Sequence, residues 1–175
     1  SFYSVAINDI DGDGRPDVVM GANGGTTVYI YRNSSISGTI YFDPFVGGYA
    51  TGSSAFALAI GDMDGDGKPD LVTANYTPSN NISVMRNTTA GPGNITFATA
   101  TSYSSVSYNY SRSVALGDFN GDGKLDIAVD HYGNGNFVSV FPNISVSGTI
   151  NLGTSVPLAT SPLGSNTQGV AMGDV

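Results

Sequence analysis

Three stretches of the chain repeat one order of apolar and polar positions. Each opens with a short apolar run: Ser4 to Asn8, Ala57 to Gly61 and Ser113 to Gly117, with Val170 to Gly173 beginning a fourth. An acidic loop follows. A second apolar run starts at Asp17-Val-Val-Met, Asp70-Leu-Val-Thr and Asp126-Ile-Ala-Val, then ends in Gly and polar residues such as Ala22-Asn-Gly-Gly and Tyr132-Gly-Asn-Gly. A third run is Thr27-Val-Tyr-Ile-Tyr-Arg-Asn, Asn81-Ile-Ser-Val-Met-Arg-Asn and Phe137-Val-Ser-Val-Phe-Pro-Asn. A fourth, less regular one is predicted to begin near Ile40-Tyr-Phe, Ile95-Thr-Phe and Ile150-Asn-Leu. The runs are short, rich in β-branched residues and bounded by turns, and no helical period appears, so each unit predicts four antiparallel strands. Near-continuous apolar character in the first two strands fits sheets covered on both faces by neighbours.

The first loop residue recurs at Asp9, Asp62, Asp118 and Asp174, a period near 50 that suggests a propeller or solenoid. The expected fold class is all-β: propeller blades of four antiparallel strands spanning 1–175, with units at about 2–54, 55–111 and 112–168 and a fourth starting at 169–175. Natural propellers use about four to eight blades. Three blades therefore imply a segment of a larger propeller. A pairing of half-rings from two copies is the less favoured alternative. An opening Ser1-Phe2-Tyr3 without Met implies a processed or partial N-terminus.

The acids carry most of the chemical information. All 14 acidic residues are Asp, and 11 lie in the three loops: Asp9, Asp11, Asp13 and Asp17; Asp62, Asp64, Asp66 and Asp70; Asp118, Asp122 and Asp126, with Asn120 at position 3 of the third. Carboxylates at positions 1, 3, 5 and 9 repel one another unless a cation offsets the charge. Calcium fits, because it accepts six to eight oxygens in flexible geometry, whereas magnesium demands a stricter octahedron. Glycines at positions 4 and 6 let the backbone turn. Position 7 (Arg15, Lys68, Lys124) is expected to offer its carbonyl and direct its side chain to solvent. The alternative is a plain Asp-Gly turn without metal. An EF-hand is rejected, since position 12 is Met20, Thr73 or Val129 rather than Glu, and the flanks read as strands.

Composition removes other functions. The absence of Cys excludes disulfide scaffolds, zinc ribbons and thiol nucleophiles. A formal charge of −8 with only six Lys and Arg argues against nucleic acid and anionic membrane surfaces, and no apolar run reaches transmembrane length.

The segment Ser113-Val-Ala-Leu-Gly-Asp118-Phe-Asn-Gly-Asp-Gly-Lys-Leu-Asp126 resembles the FG-GAP and VCBS repeats of integrin-α-like propellers, and the pattern spans the chain. That resemblance implies about three calcium ions, held by Asp9, Asp11, Asp13, Arg15 and Asp17, by Asp62, Asp64, Asp66, Lys68 and Asp70, and by Asp118, Asn120, Asp122, Lys124 and Asp126, position 7 serving through its carbonyl. Asn120 lowers the ligand charge of the third site.

A non-enzymatic, calcium-stabilised module of a secreted or cell-surface protein is the expected function, serving adhesion or assembly with a protein or glycan ligand and further blades as partners. Weak millimolar-range sites fill outside cells and stay empty in the cytosol. The alternative is a lectin, with Tyr103, Tyr108 and Tyr110 stacking on sugars; a non-catalytic part of a secreted enzyme comes third. His131 and Asp130, peculiar to one unit, read as an exposed strand end rather than a catalytic pair. Seven Asn-X-Ser/Thr sequons (Asn33, Asn75, Asn81, Asn87, Asn94, Asn109, Asn143) are compatible with glycosylation.

Overall fold

The computed structural model describes residues 2–22, 24–44, 48–76, 81–105, 110–132, 137–159 and 169–173. Twelve strands occupy them. The first sheet is β1 (Phe2–Asn8), β2 (Asp17–Ala22), β3 (Thr27–Tyr31) and β4 (Gly48–Ala50). The second is β5 (Ala55–Gly61), β6 (Asp70–Asn75), β7 (Asn81–Met85) and β8 (Thr101–Ser104), and the third is β9 (Tyr110–Gly117), β10 (Asp126–Tyr132), β11 (Phe137–Phe141) and β12 (Val156–Ala159). Each sheet is a four-stranded antiparallel meander in chain order, and no helix occurs among the described residues.

The three sheets stack as blades, with β1 against β5 and β5 against β9. The acidic loops, which join first to second strands, therefore recur on the same rim. One apolar cluster joins the first blade to the second through Ile10, Val19, Val28 and Ile30 against Leu71, Met85 and Ile95. An equivalent one joins the second to the third through Met63, Val72, Ile82 and Val84 against Val114, Ile127, Val129 and Phe141. β6, in the blade with a described neighbour on each side, is buried along its whole length. β1 has no described blade before it, and Val5 and Ile7 lie open at 61% and 63% exposure. Ile40 is 84% exposed where its counterpart Ile95 is 2%.

Two expectations about strands need correction. The Ile40, Ile95 and Ile150 segments do not start the fourth strands; they form isolated bridges, Asn33 to Phe42, Asn87 to Phe97 and Asn143 to Leu152. The fourth strands come several residues later, since Asn33, Asn87 and Asn143 end the third-strand pairing with side-chain turns and the ladder must restart. Residues 169–173 are not a strand. They still lie where a further first strand belongs: the Val170 amide donates to Ser113 Oγ as the Leu58 amide donates to Ser4 Oγ. Without a described second strand beside them they have no ladder partner.

Candidate metal centre

Each acidic loop is closed by its own carboxylates. Asp9 accepts the amides of Gly12 and Asp13 on Oδ1 and that of Gly14 on Oδ2, at 2.8 to 3.1 Å. Asp62 does the same for Gly65, Asp66 and Gly67, and Asp118 for Gly121, Asp122 and Gly123. Gly12 and Gly14 have φ of 74° and 84°, a region costly to residues with a Cβ, which explains the glycines at positions 4 and 6. The amides hold the Asp118 carboxyl below its ordinary value, that of Gly123 first.

The ninth position ties the loop to the blade. Asp17 accepts the Ile10 amide on Oδ2 and the Asn33 amide on Oδ1; Asp70 accepts those of Met63 and Asn87, and Asp126 those of Phe119 and Asn143. One buried carboxylate thus joins the loop start to the end of the third strand. Burial pushes Asp17 up, and pushes Asp70 up to about 6 despite its two amide donors.

Oxygens of Asp9, Asp11 and Asp17 converge within 4.8 Å of one another, as do those of Asp62, Asp64 and Asp70. Such a set of hard oxygen donors suits a calcium-sized cation. Asp13 and Asp66 are not in these clusters. They face arginines that sequence reasoning missed: Arg32 donates from Nε to Asp11 at 2.6 Å and from Nη2 to Asp13 at 2.8 Å, while Arg86 reaches Asp64 and Asp66 at 2.6 Å each. Burial would raise Asp11, but the Arg32 hydrogen bond and the Gly93 amide outweigh it and hold this carboxyl low. The available signal was the Arg-Asn pair ending two of the three third strands. In the third unit Pro142 stands there, and Asn120 replaces the acid at position 3.

The loops are also stitched from blade to blade. Gly93 and Gly148 of the following blades donate their amides to Asp11 and Asp64. Asn87 Nδ2 donates to Ile10 O of the preceding blade and to Pro69 O; Asn143 Nδ2 donates to Met63 O and Leu125 O. Asn33, with no described blade before it, donates to Pro16 O. The third loop is more exposed than the others, and Phe119 is 46% exposed where Ile10 and Met63 are 2% and 1%.

Position 7 side chains do not simply point to solvent. Arg15 pairs with Asp13 and donates to Asn33 O, while Lys68 and Lys124 donate to Thr89 O and Ser145 O, because the third-strand turn brings a carbonyl within reach. His131 is not an exposed strand end. It is fully buried with Asp130, stacked on Phe137, its Nε2 lying 3.0 Å from Ser139 Oγ. Asn75 does the same in the second blade, donating to Ser83 Oγ. Both side chains pin second strand to third.

Tyr103 packs between blades and donates to Ile150 O, as Tyr49 donates to Ile95 O. Tyr110 stacks on Tyr76, which stacks on Phe56, which stacks on Tyr3. The inner rings of this ladder have both faces covered by aromatic neighbours. Tyr108 and Asn109 lie outside the described residues. Among the sequons, Asn33, Asn75, Asn87 and Asn143 are buried with Nδ2 engaged, whereas Asn94 is exposed.

A family model described as FG-GAP-like repeat matches residues 9–73 and again 62–129, together more than half of the chain. No curated protein matches it.

Proposed function

Because the chain belongs to the FG-GAP-like repeat family, we propose that it is a calcium-stabilised structural segment of a larger extracellular β-propeller, serving adhesion or assembly rather than catalysis. The observation that carries this reading is the twofold recurrence of one oxygen cluster, at Asp9, Asp11 and Asp17 and at Asp62, Asp64 and Asp70. A third ion belongs at Asp118, Asn120 and Asp126, where the same carboxylate-to-amide bonds shape the loop. When bound, calcium supplies a counter-charge in place of a large local core. The open apolar face of β1 supports further blades as partners. Burial of His131 and commitment of the loop carboxylates to amides and arginines support a non-catalytic role. The lectin alternative has weaker support, since Tyr103 and the inner rings of the ladder are already packed.

Thermal melts of metal-depleted protein with and without calcium, paired with metal analysis, test the proposal. With affinity of about 0.1 mM and 1 mM ion, each site adds about 1.4 kcal/mol to stability, and three add about 4 kcal/mol. Three bound ions and a large upward shift are expected. No bound ion and coincident melts would overturn it.

A further inference from the structure

The first two loops contain more acid than the third, yet their charge balance is the same. Loop 1 with Arg32 and loop 2 with Arg86 each set four carboxylates against two cations; loop 3, with Asn120 and Pro142, sets three against one. Counting only the nine loop residues and the third-strand arginine, each keeps a formal charge of −2, the amount one divalent ion neutralises; Asp43, which also pairs with Arg32, adds one negative charge beside loop 1. An acid at position 3 thus goes with an arginine at the end of the third strand, and its loss with a proline.

The geometry gives the pairing a physical cause. In loop 2 the Arg86 guanidinium spans Asp64 and Asp66, two charge-assisted bonds of 2.6 Å to carboxylates of which Asp64 is shut from solvent. In loop 1 Arg32 spans Asp11 and Asp13 in the same way, and its remaining Nη1 reaches Asp43 at 3.1 Å. The arginine occupies the outer half of the loop, positions 3 and 5. The oxygen cluster of positions 1, 3 and 9 occupies the inner half. Position 3 is shared, so the guanidinium orients a carboxylate that also belongs to the inner cluster. Loop 3 has no guanidinium; Asn120 and Asp122 there accept the same backbone amides that positions 3 and 5 accept in the other two loops, and nothing more among the described residues.

We propose that Arg32 and Arg86 are built-in counter-ions of the first two loops, holding positions 3 and 5 in place with or without a divalent ion, whereas in the third loop positions 3 and 5 are held by backbone amides and depend on the ion for the rest. This rests on the calcium reading only for the third loop; the arginine's role stands in metal-free protein as well. Arg32 and Arg86 are positioning residues, acting on the ion through Asp11, Asp13, Asp64 and Asp66.

The test is hydrogen exchange of the full chain, read on peptides covering 62–70 and 118–126, with calcium and after metal depletion. In the unaltered protein, depletion should accelerate exchange at Gly121 and Gly123 at least tenfold and at Gly65 and Gly67 less than threefold. Arg86→Gln should bring loop 2 to the tenfold response. Arg86→Gln combined with Asp64→Asn, which recreates the charge and the position-3 side chain of loop 3, should respond to calcium as loop 3 does. Arg86→Lys keeps the charge without the two-pronged contact, so an intermediate response is expected of it. Loop 2 of Arg86→Gln and Arg86→Lys as protected in metal-free solution as the unaltered loop would overturn the proposal. So would equal loss of protection in loops 2 and 3 of the unaltered protein. No calcium response in any loop, with Arg86→Gln still opening loop 2, would sink the calcium reading and uphold the arginine's role.

Discussion

Replacing Asn87 with Ala isolates the seam between blades. The side chain is fully buried and makes three hydrogen bonds: Nδ2 to Ile10 O at 3.0 Å and to Pro69 O at 3.1 Å, and Oδ1 from the Thr89 amide at 2.9 Å. Each is worth about 1 kcal/mol net, and more where truncation strands a buried partner. Truncation therefore costs about 3 to 4 kcal/mol. Asn33 is the internal control, since it occupies the same position one blade earlier. Its bonds are two, to Pro16 O and from the Ser35 amide, and a donor to a preceding blade is not among them. Asn33→Ala should cost about 2 kcal/mol, and Asn143→Ala should match Asn87→Ala because it repeats the contact to Met63 O and Leu125 O. Urea unfolding followed by far-ultraviolet circular dichroism reads all three, provided the slope with denaturant is unchanged. Equal losses for Asn33→Ala and Asn87→Ala, within about 0.5 kcal/mol, would refute the reasoning, because the inter-blade bond would then add nothing beyond the local turn.

The remaining expectations concern packing, titration and the buried histidine. A Cβ at Gly21 would meet the Ala55 carbonyl oxygen at 2.6 Å, whereas at Gly61 it would meet the leucine methyls of Leu125 and Leu116 at 2.7 and 2.9 Å. Gly21→Ala should thus lower the melting temperature more than Gly61→Ala, since backbone yields less than a side-chain end; the reverse order in thermal melts would refute it. Asp70 titrates near 6 in the metal-free fold, above its unfolded value, so it favours folding below about pH 4 and that contribution is lost as pH rises through 6. Calcium needs the ionised form, so its stabilising increment should grow across this window, and Asp70→Asn should reduce that growth, leaving the share of the other loops, in melts at pH 4 to 7 with and without calcium. His131→Asn should retain most stability, because Asn75 fills the same position in the second blade, while His131→Ala should cost about 2 to 4 kcal/mol in urea unfolding.

Strand identity and the loops were legible because both are local. Val18-Val19-Met20 and Leu71-Val72-Thr73 are apolar runs rich in β-branched residues next to turns, and Gly12 and Gly14 sit where φ is positive, so neighbouring residues alone specify them. The repeat of Asp9, Asp62 and Asp118 marked the blades and the candidate ligands from spacing alone. The fourth strands were misplaced because Ile40 and Ile95 look like strand residues, and only the isolated bridge after Asn33 or Asn87 shows that the ladder has stopped there. Tertiary structure decided what distance along the chain conceals: that Arg32 and Arg86 face acids about 20 residues earlier, that Asn87 and Asn143 are seams rather than open sequons, and that His131 lies in the core. A carboxylate's partners, and the burial of a polar side chain, depend on which blade comes to rest beside it, and that contact is made between residues as many as 84 positions apart.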